Sequence, residues 1–199
     1  MPRRPLTVLA LVLTLTVAAC GHADDGAAGG ASGDAGATGS TEASATAASA
    51  ATEGGAVAEC EQPGLVWRSG NKTTYESYPD PGSDECVLYN GCAYVGQFAA
   101  CANTMPKAWV MEHDLAAVFP LGELALHRIC VRAAGHVRVV TVVDTCADSD
   151  CDGCCSENRG SADALVDLES FTDARFGVED GPIEWADLGP GDPDLDGCN

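Results

Sequence analysis

The chain has 199 residues, of which 30 are acidic and 10 are basic, so its formal net charge is −20 at pH 7. A surface of this sign repels nucleic acid, anionic lipid headgroups and acidic wall polymers, whereas it is compatible with an uncharged polysaccharide or a basic partner. The same charge can also serve solubility alone. The segment from Cys60 to Asn199 has the length of one domain.

Residues 1–19 are predicted to be a lipoprotein signal peptide. Arg3 and Arg4 form a short positive segment before an apolar run, residues 6–17, that is too short to span a bilayer comfortably. The run ends in Val17-Ala18-Ala19-Cys20, the pattern of a bacterial lipobox. We therefore expect Cys20 to carry acyl chains such as palmitate, with an ordinary secretory signal as the alternative. The expected location is the cell envelope, on the outer membrane or the outer face of the cell membrane.

Residues 20–59 are predicted to comprise the lipidated Cys20 and a disordered linker. The linker consists almost entirely of Ala, Gly, Ser, Thr and Asp, so it cannot bury enough apolar surface to offset the entropy of ordering. A flexible segment of this length has a root-mean-square span of roughly 35 Å. The domain at residues 60–199 can therefore work at a distance from its anchor, in or near the cell wall.

The cysteines predict a disulfide framework, because an even number in an exported domain is typical of paired thiols. Spacing alone does not give the connectivity. Since Cys60 and Cys198 bracket the domain, we expect these two to pair and to tie its ends together. The ten cysteines of the domain are Cys60, Cys86, Cys92, Cys101, Cys130, Cys146, Cys151, Cys154, Cys155 and Cys198.

The strands are predicted from short β-branched runs. Residues 129–133 and 137–143 flank Ala134-Gly135-His136, which is typical of a hairpin. The second run is apolar on both faces near its end, as expected for a strand buried in a barrel. Residues 182–186 are predicted to form a last strand.

Helical patterns are scarce in the domain. A short helix is predicted over His113–Phe119, ending before Pro120, and a second over Glu169–Phe176, with Gly177 as its C-terminal stop. One or two short helices among several strands indicate a mainly β, disulfide-rich fold, a small β-barrel.

Four segments follow one another in a recognisable order: Asp144-Thr145-Cys146, Leu165–Phe171, Phe176-Gly177 and Pro182–Trp185. Together they resemble the six-stranded double-psi β-barrel of expansins, rare lipoprotein A and the small barrel endoglucanases. Ser77–Asp80 and Gly91–Gly96 stand where that family has its first strand and its Gly- and Cys-rich loop. The resemblance extends from about Thr73 to Leu188.

The resemblance implies two acidic site residues. Asp167 matches the family's indispensable acid, which in the hydrolytic members protonates the leaving sugar oxygen and therefore needs a raised pKa. Asp144 matches a second aspartate beside it, which would tune the ionisation of the first. The alternatives are structural: an N-cap for Asp167, and for Asp144 a turn residue that holds backbone amides.

Hydrolysis with inversion needs a base across the groove, at roughly 6.5–9.5 Å from the acid. Asp80, in Tyr78-Pro79-Asp80, has the form that the barrel endoglucanases use, although Pro-Asp-Pro-Gly is also an ordinary turn sequence. Tyr78, Tyr94 and Trp109 are candidates for stacking on sugar rings, with burial in the core as the alternative.

The segment Thr141–Cys155 raises the question of metal binding. Asp148, Asp150 and Asp152 have the spacing that opens a calcium loop, but Arg159 stands at position twelve, where a Glu is needed. A second run has the same pattern, so both are candidates for weak calcium binding; it consists of Asp192, Asp194 and Asp196. The neighbouring cysteines imitate zinc ligands, but export favours disulfides, so we expect a disulfide-knotted rim loop and no required metal or cofactor.

The leading hypothesis is a membrane-anchored, exported, expansin-like protein that binds cell-wall polysaccharide or peptidoglycan, and loosens it, without hydrolysis. The second is a polysaccharide-cleaving enzyme with Asp167 as general acid, either an endoglucanase-like hydrolase or a peptidoglycan lytic transglycosylase. The third is a protease-inhibitor-like or other interaction module, since fold alone does not decide function.

Overall fold

The computed structural model describes residues 55, 58–89 and 91–199. The predicted signal peptide at residues 1–19, Cys20 and nearly all of the linker lie outside the described residues. Within the described part of the chain, no helix is long and apolar enough to cross a membrane.

Six strands close into a barrel. In ring order the strands are β1, β5, β2, β4, β3 and β6, and β6 pairs back onto β1. Two of the pairs are parallel, β1 with β5 and β2 with β4, and the other pairs are antiparallel. The prediction of a mainly β, six-stranded barrel is thus confirmed. The strands are β1 (Arg68–Tyr75), β2 (Leu115–Phe119), β3 (His127–Ala133), β4 (His136–Asp144), β5 (Ala164–Glu169) and β6 (Gly181–Pro190).

The predicted hairpin and last strand are present. β3 and β4 pair antiparallel from Ala133 and His136 outward, and Ala134 and Gly135 both have positive φ, at 51° and 85°, as a tight hairpin turn requires. The family resemblance predicts the first strand too late in the sequence. It ends at Tyr75, before the segment Ser77–Asp80 that the family resemblance assigned to it.

The helices are short and lie between the strands. The predicted second helix is confirmed within one residue, and Gly177 ends it in the left-handed conformation at φ 68°. The prediction of a helix over His113–Phe119 is wrong, because residues 115–119 form β2, whose pairing with β4 and β5 overrides the helix propensity of Leu and Ala. The helices are α1 (Asp84–Leu88), α2 (Lys107–Glu112), α3 (Cys154–Arg159) and α4 (Ser170–Phe176).

The barrel interior is filled by alternate, mainly β-branched residues of the strands. Ala116 and Val118 of β2 and Val166 and Leu168 of β5 point inward, so the residues between them face outward. A second apolar cluster covers part of the outer surface and contains Phe98, Met105, Trp109, Val110, Leu115, Val143 and Cys198.

All ten cysteines of the domain form disulfides, as predicted, but the expected pairing of Cys60 with Cys198 is wrong. Cys60 is bonded to Cys130 on β3, and Cys198 is bonded to Cys101. The N-terminal end of the domain is therefore tied to the barrel, and the C-terminal end is tied to the loop that carries Cys101. This connectivity is set by the tertiary fold and is not readable from sequence spacing. The other three bridges are Cys86–Cys92, Cys146–Cys155 and Cys151–Cys154.

Candidate functional site

Strand pairing brings Asp144 and Asp167 onto one row of the barrel. Asp167 on β5 pairs with Thr73 on β1 and with Ala117 on β2, and Ala117 also pairs with Asp144 on β4. Paired residues carry their side chains on the same face, which here is the outer face. With neighbouring strands about 4.8 Å apart, the two acidic residues lie about 10 Å apart between Cα atoms. We call Thr73, Asp167, Ala117 and Asp144 the acid row.

A β-bulge puts Asp144 into the acid row. Ala116 pairs with Val142, whereas Ala117 pairs with Asp144, so Val143 is an extra residue on β4. With regular alternation Asp144 would share the inward face of Val142. The bulge instead sets Asp144 level with Ala117, whose small side chain leaves space between the two carboxyl groups.

Asp167 is partly buried, and this burial is the main cause of a pKa raised to about 7. The Thr73 hydroxyl donates a hydrogen bond to its Oδ1 at 2.9 Å and lowers the pKa in part, while the charges of Glu85 and Asp180 raise it. Half of the Asp167 carboxyl groups therefore carry a proton at about neutral pH. Asp144 is not among the groups that raise the pKa, so the predicted tuning of Asp167 by Asp144 has no support at this separation.

Asp167 is not the cap of the following helix. The N-cap of α4 is Glu169, whose Oε2 accepts the backbone N–H of Phe171 at 2.7 Å. The buried Glu169 also accepts hydrogen bonds from the hydroxyls of Ser77 and Ser170 through Oε1. With Glu169 serving the helix, Asp167 has no capping function, and the alternative structural interpretation of this residue is excluded.

The two carboxylate oxygens of Asp144 differ in their contacts. Its Oδ1 accepts the backbone N–H groups of Ala99 and Thr145 at 3.0 and 2.9 Å, so it does hold backbone amides, the alternative considered from the sequence. Burial raises the pKa of Asp144, and the two amides oppose that rise. Oδ2 makes no hydrogen bond within the described part of the chain, and it remains available to a ligand.

Asp80 lies in a turn. Its backbone carbonyl accepts the N–H of Ser83 at 2.9 Å, and its side chain is exposed. It belongs to no strand and is not part of the acid row. The role of Asp80 as a catalytic base remains a prediction.

The three aromatic candidates have different environments. Tyr94 is 54% exposed and presents its ring to solvent. Tyr78 is half-buried, and its hydroxyl donates to the backbone carbonyl of Met105. Trp109 is only 8% exposed and stacks on the His113 ring at 4.1 Å between centroids. Trp109 is thus a core residue that offers no face to a sugar ring, because the outer apolar cluster encloses it.

The cysteine-rich loop is a disulfide knot. The sulfur atoms of Cys146, Cys151, Cys154 and Cys155 all lie within 4.8 Å of one another, but they are bonded in pairs. Sulfur in a disulfide is not the thiolate that zinc requires. The knot follows Asp144 directly and so borders the acid row, as the sequence analysis expected of a rim loop.

The aspartates of the two candidate calcium runs make local hydrogen bonds. Asp148 accepts the N–H and the hydroxyl of Ser156, which lowers its pKa. Asp192 accepts the N–H of Asp194 at 2.9 Å. Weak calcium binding at either run remains a prediction.

Two residues that act on Asp167 were missed by sequence reasoning: Thr73 and Glu85. Thr73 lies on β1, and the run Thr73-Thr74-Tyr75 is β-branched and aromatic, which is a strand signal. Glu85 lies on α1, where burial and the charge of Glu76 raise its pKa, and it acts on Asp167 through space. No local pattern in the sequence indicates that α1 lies near Asp167.

No protein-family model matches the chain, and no curated protein matches it. Among solved structures, the chain is similar to the crystal structure of an apo expansin from Clavibacter michiganensis, with 15% sequence identity and a TM-score of 0.38. The match covers 64% of this chain and 52% of the expansin chain, so it spans about half the length of that protein.

Proposed function

We propose that the protein is an expansin-like, exported lipoprotein that binds cell-wall polysaccharide or peptidoglycan at the acid row and loosens it without hydrolysis. One observation carries the proposal: two carboxyl groups share one row on the outer face of a closed barrel, and one has a pKa of about 7. Asp144 and Asp167 are only partly buried, whereas the barrel interior is filled with side chains.

A protonated Asp167 suits a binding function because it both donates and accepts hydrogen bonds. Sugar hydroxyls and glycosidic oxygens need such partners. The known requirement for inverting hydrolysis, a second carboxylate acting as base, has its sequence candidate in Asp80, which lies exposed in a turn.

Binding is expected to weaken about tenfold between pH 6 and pH 8. Asp167 is the donor only while protonated, and with a pKa of about 7 its protonated fraction falls about tenfold over this interval. Asp167→Asn keeps a neutral donor and acceptor at all pH values, so the variant is expected to lose this pH dependence. The measurement is co-sedimentation with cellulose, chitin and peptidoglycan at both pH values.

The same samples distinguish an enzyme from a binding protein. The pKa of Asp167 is also that of a general acid poised near neutral pH, which is the one observation favouring a polysaccharide-cleaving function. Soluble sugar ends released by the wild type and not by Asp167→Asn would establish cleavage, because Asn cannot give a proton. If neither protein is retained on any of the polymers and neither releases sugar, the proposed function is wrong.

Export and lipid anchoring are proposed from Arg3, Arg4 and the Val17–Cys20 segment. Cells that make the full chain are expected to yield a mature protein beginning at Cys20 and carrying acyl chains. Intact-mass measurement of the membrane fraction checks this. Cys20→Ser is the matched control. A wild-type protein whose mass equals that of the chain without acyl groups would contradict the anchor.

A further inference from the structure

Four cysteine sulfur atoms form one cluster in the rim loop, residues 146–155. They belong to the bridges Cys146–Cys155 and Cys151–Cys154, and all four lie within 4.8 Å of one another. The two bridges are in contact, because the sulfur atoms of Cys151 and Cys155 are 3.8 Å apart. We call these four residues the sulfur cluster. In the part of the chain that the structure describes, no other group of metal-ligating side chains is as compact.

The spacing within the sulfur cluster is close to that of a tetrahedral zinc site. Zinc–sulfur bonds are about 2.3 Å long, so two thiolates on one tetrahedral zinc ion lie about 3.8 Å apart. Cys151 and Cys155 already have this separation. Once the two bridges are broken, the sulfur atoms of each bonded pair can move apart to the same distance. The other pairs have to approach by at most about 1 Å, since none is farther apart than 4.8 Å.

The Cys151–Cys154 bridge gives a reductant access to the sulfur cluster. Both of its residues are half-buried, whereas Cys155 in the neighbouring bridge is fully buried. A dithiol that reduces this bridge gives it two electrons and two protons and itself becomes a disulfide. The first reduction therefore takes place at Cys151 and Cys154.

The second bridge is opened from within the sulfur cluster. The sulfur of Cys151 lies 3.8 Å from that of Cys155, so the Cys151 thiolate can attack it. A Cys151–Cys155 bond forms, the Cys146–Cys155 bond breaks, and the electron pair leaves with the Cys146 thiolate. A second dithiol then reduces the new bridge with two more electrons and two more protons. The loop ends with four thiols, and the two dithiols end as disulfides.

The bridges that tie the chain termini are harder to open. They close separations of 70 and 97 residues, against 3 and 9 in the sulfur cluster, so their loss costs more conformational restraint. Cys86–Cys92 is also accessible, since Cys92 is exposed, but it supplies only two sulfur ligands. A limiting amount of dithiol is therefore expected to open the sulfur cluster while the barrel keeps its long-range bridges.

The composition of the rim loop favours a metal ion over thiol exchange with other proteins. A C-x-x-C pair that exchanges rapidly needs positive neighbours to stabilise its thiolate. Residues 146–155 contain no Lys, Arg or His, and their three charged side chains are acidic: Asp148, Asp150 and Asp152. These charges disfavour a free thiolate. A bound dication supplies the missing positive charge, and four sulfur ligands in a tetrahedron select zinc over calcium or magnesium.

We infer that the sulfur cluster is a redox-gated zinc site. After a dithiol has reduced both bridges, the four cysteines bind one zinc ion and release four protons. The ion then holds the rim loop closed in place of the two disulfides. The proposed function concerns the oxidised chain, so this inference goes beyond it, and either one can fail without the other.

The test treats the full-length purified chain with a limiting amount of dithiothreitol at about pH 8, near the ordinary pKa of a thiol. The reductant is removed without air, zinc is added, and X-ray absorption gives the ligands of the ion. We expect one zinc ion per reduced chain, bonded to four sulfur atoms at about 2.3 Å. The oxidised chain is expected to bind no zinc through sulfur. Alkylation and peptide mapping before zinc is added identify the free thiols.

Two double variants give the comparison. Cys151→Ser/Cys154→Ser removes two of the four ligands, so the reduced chain is expected to bind zinc more than about a hundredfold more weakly. Cys86→Ser/Cys92→Ser removes a short bridge outside the sulfur cluster, and it should keep the site with four sulfur ligands. Urea unfolding of the oxidised proteins checks that all three are folded.

Three results would overturn the inference. The first is a reduced wild type that binds no zinc or binds it with fewer than four sulfur ligands. The second is equal zinc affinity of the wild type and Cys151→Ser/Cys154→Ser. The third is a sulfur cluster that stays oxidised while Cys60–Cys130 or Cys101–Cys198 opens. Co-sedimentation of the oxidised chain with polymers tests the proposed function separately.

Discussion

Asp167→Asn is expected to make the folded chain more stable than the wild type at pH 8 and about equally stable near pH 4. Asp167 has a pKa of about 7 when folded and about 3.8 when unfolded. Between these values the folded state holds a proton that the unfolded state has released, so wild-type stability falls as pH rises from about 4 to 7. Asn carries no charge in either state and avoids this loss.

The difference at pH 8 is expected to be at most about 4 kcal/mol, since each pKa unit corresponds to 1.36 kcal/mol. Urea unfolding at several pH values measures it. Asp163→Asn is the control for which the opposite effect on stability at pH 8, a loss, is expected. Ser69 donates to Asp163 through its N–H and its hydroxyl and thereby lowers the pKa of Asp163. Parallel stability curves for the wild type and Asp167→Asn would show that burial does not hold the proton on Asp167.

Loss of the Cys101–Cys198 disulfide is expected to destabilise the domain far more than loss of Cys151–Cys154. The first bridge spans 97 residues and the second spans 3. In the chain-entropy description, a loop of about 100 residues contributes up to about 4–5 kcal/mol, and a loop of a few residues about 2 kcal/mol or less. Paired Cys→Ser variants, unfolded in urea under oxidising conditions, compare the two.

The short bridge is also nested within the Cys146–Cys155 loop, which restrains the same segment after the shorter bridge is removed. The Cys151→Ser/Cys154→Ser variant is therefore expected to unfold near the wild-type urea midpoint. If both double variants lose the same stability, the bridges act through local packing in the folded state and not through restraint of the unfolded chain.

Local sequence patterns predict those helices and strands whose residue types suit their place in the fold. The β3–β4 hairpin has β-branched runs around a turn with Gly135, and α4 ends at Gly177, so both were predicted. The helix propensity of Leu115-Ala116-Ala117 predicts a helix, and only the pairing of β2 with β4 and β5 makes this segment a strand. Propensity is a weak guide where tertiary pairing decides.

β1 shows a second reason why a sequence pattern can fail to predict a strand. Its inward-facing positions include Gly70 and the 1%-exposed Lys72, whose ammonium pairs with Asp173 and Asp180, so the strand has no apolar alternation. Because β1 has no such alternation, the sequence gives no reason to consider Thr73 as a site residue. Only the family resemblance indicates the acidic pair. A bulge at Val143 sets the position of Asp144, and no local sequence pattern predicts this bulge.

The Cys60–Cys130 bridge determines how the domain bears mechanical load. A pull transmitted to Cys60 from the preceding residues passes through a covalent bond into the middle of β3, which is hydrogen-bonded on both sides by β4 and β6. Strand β1, which begins eight residues later and carries Thr73 and Tyr75, is bypassed by that force. Tension applied at Cys60 can therefore rise without peeling away the strand that carries Thr73 of the acid row.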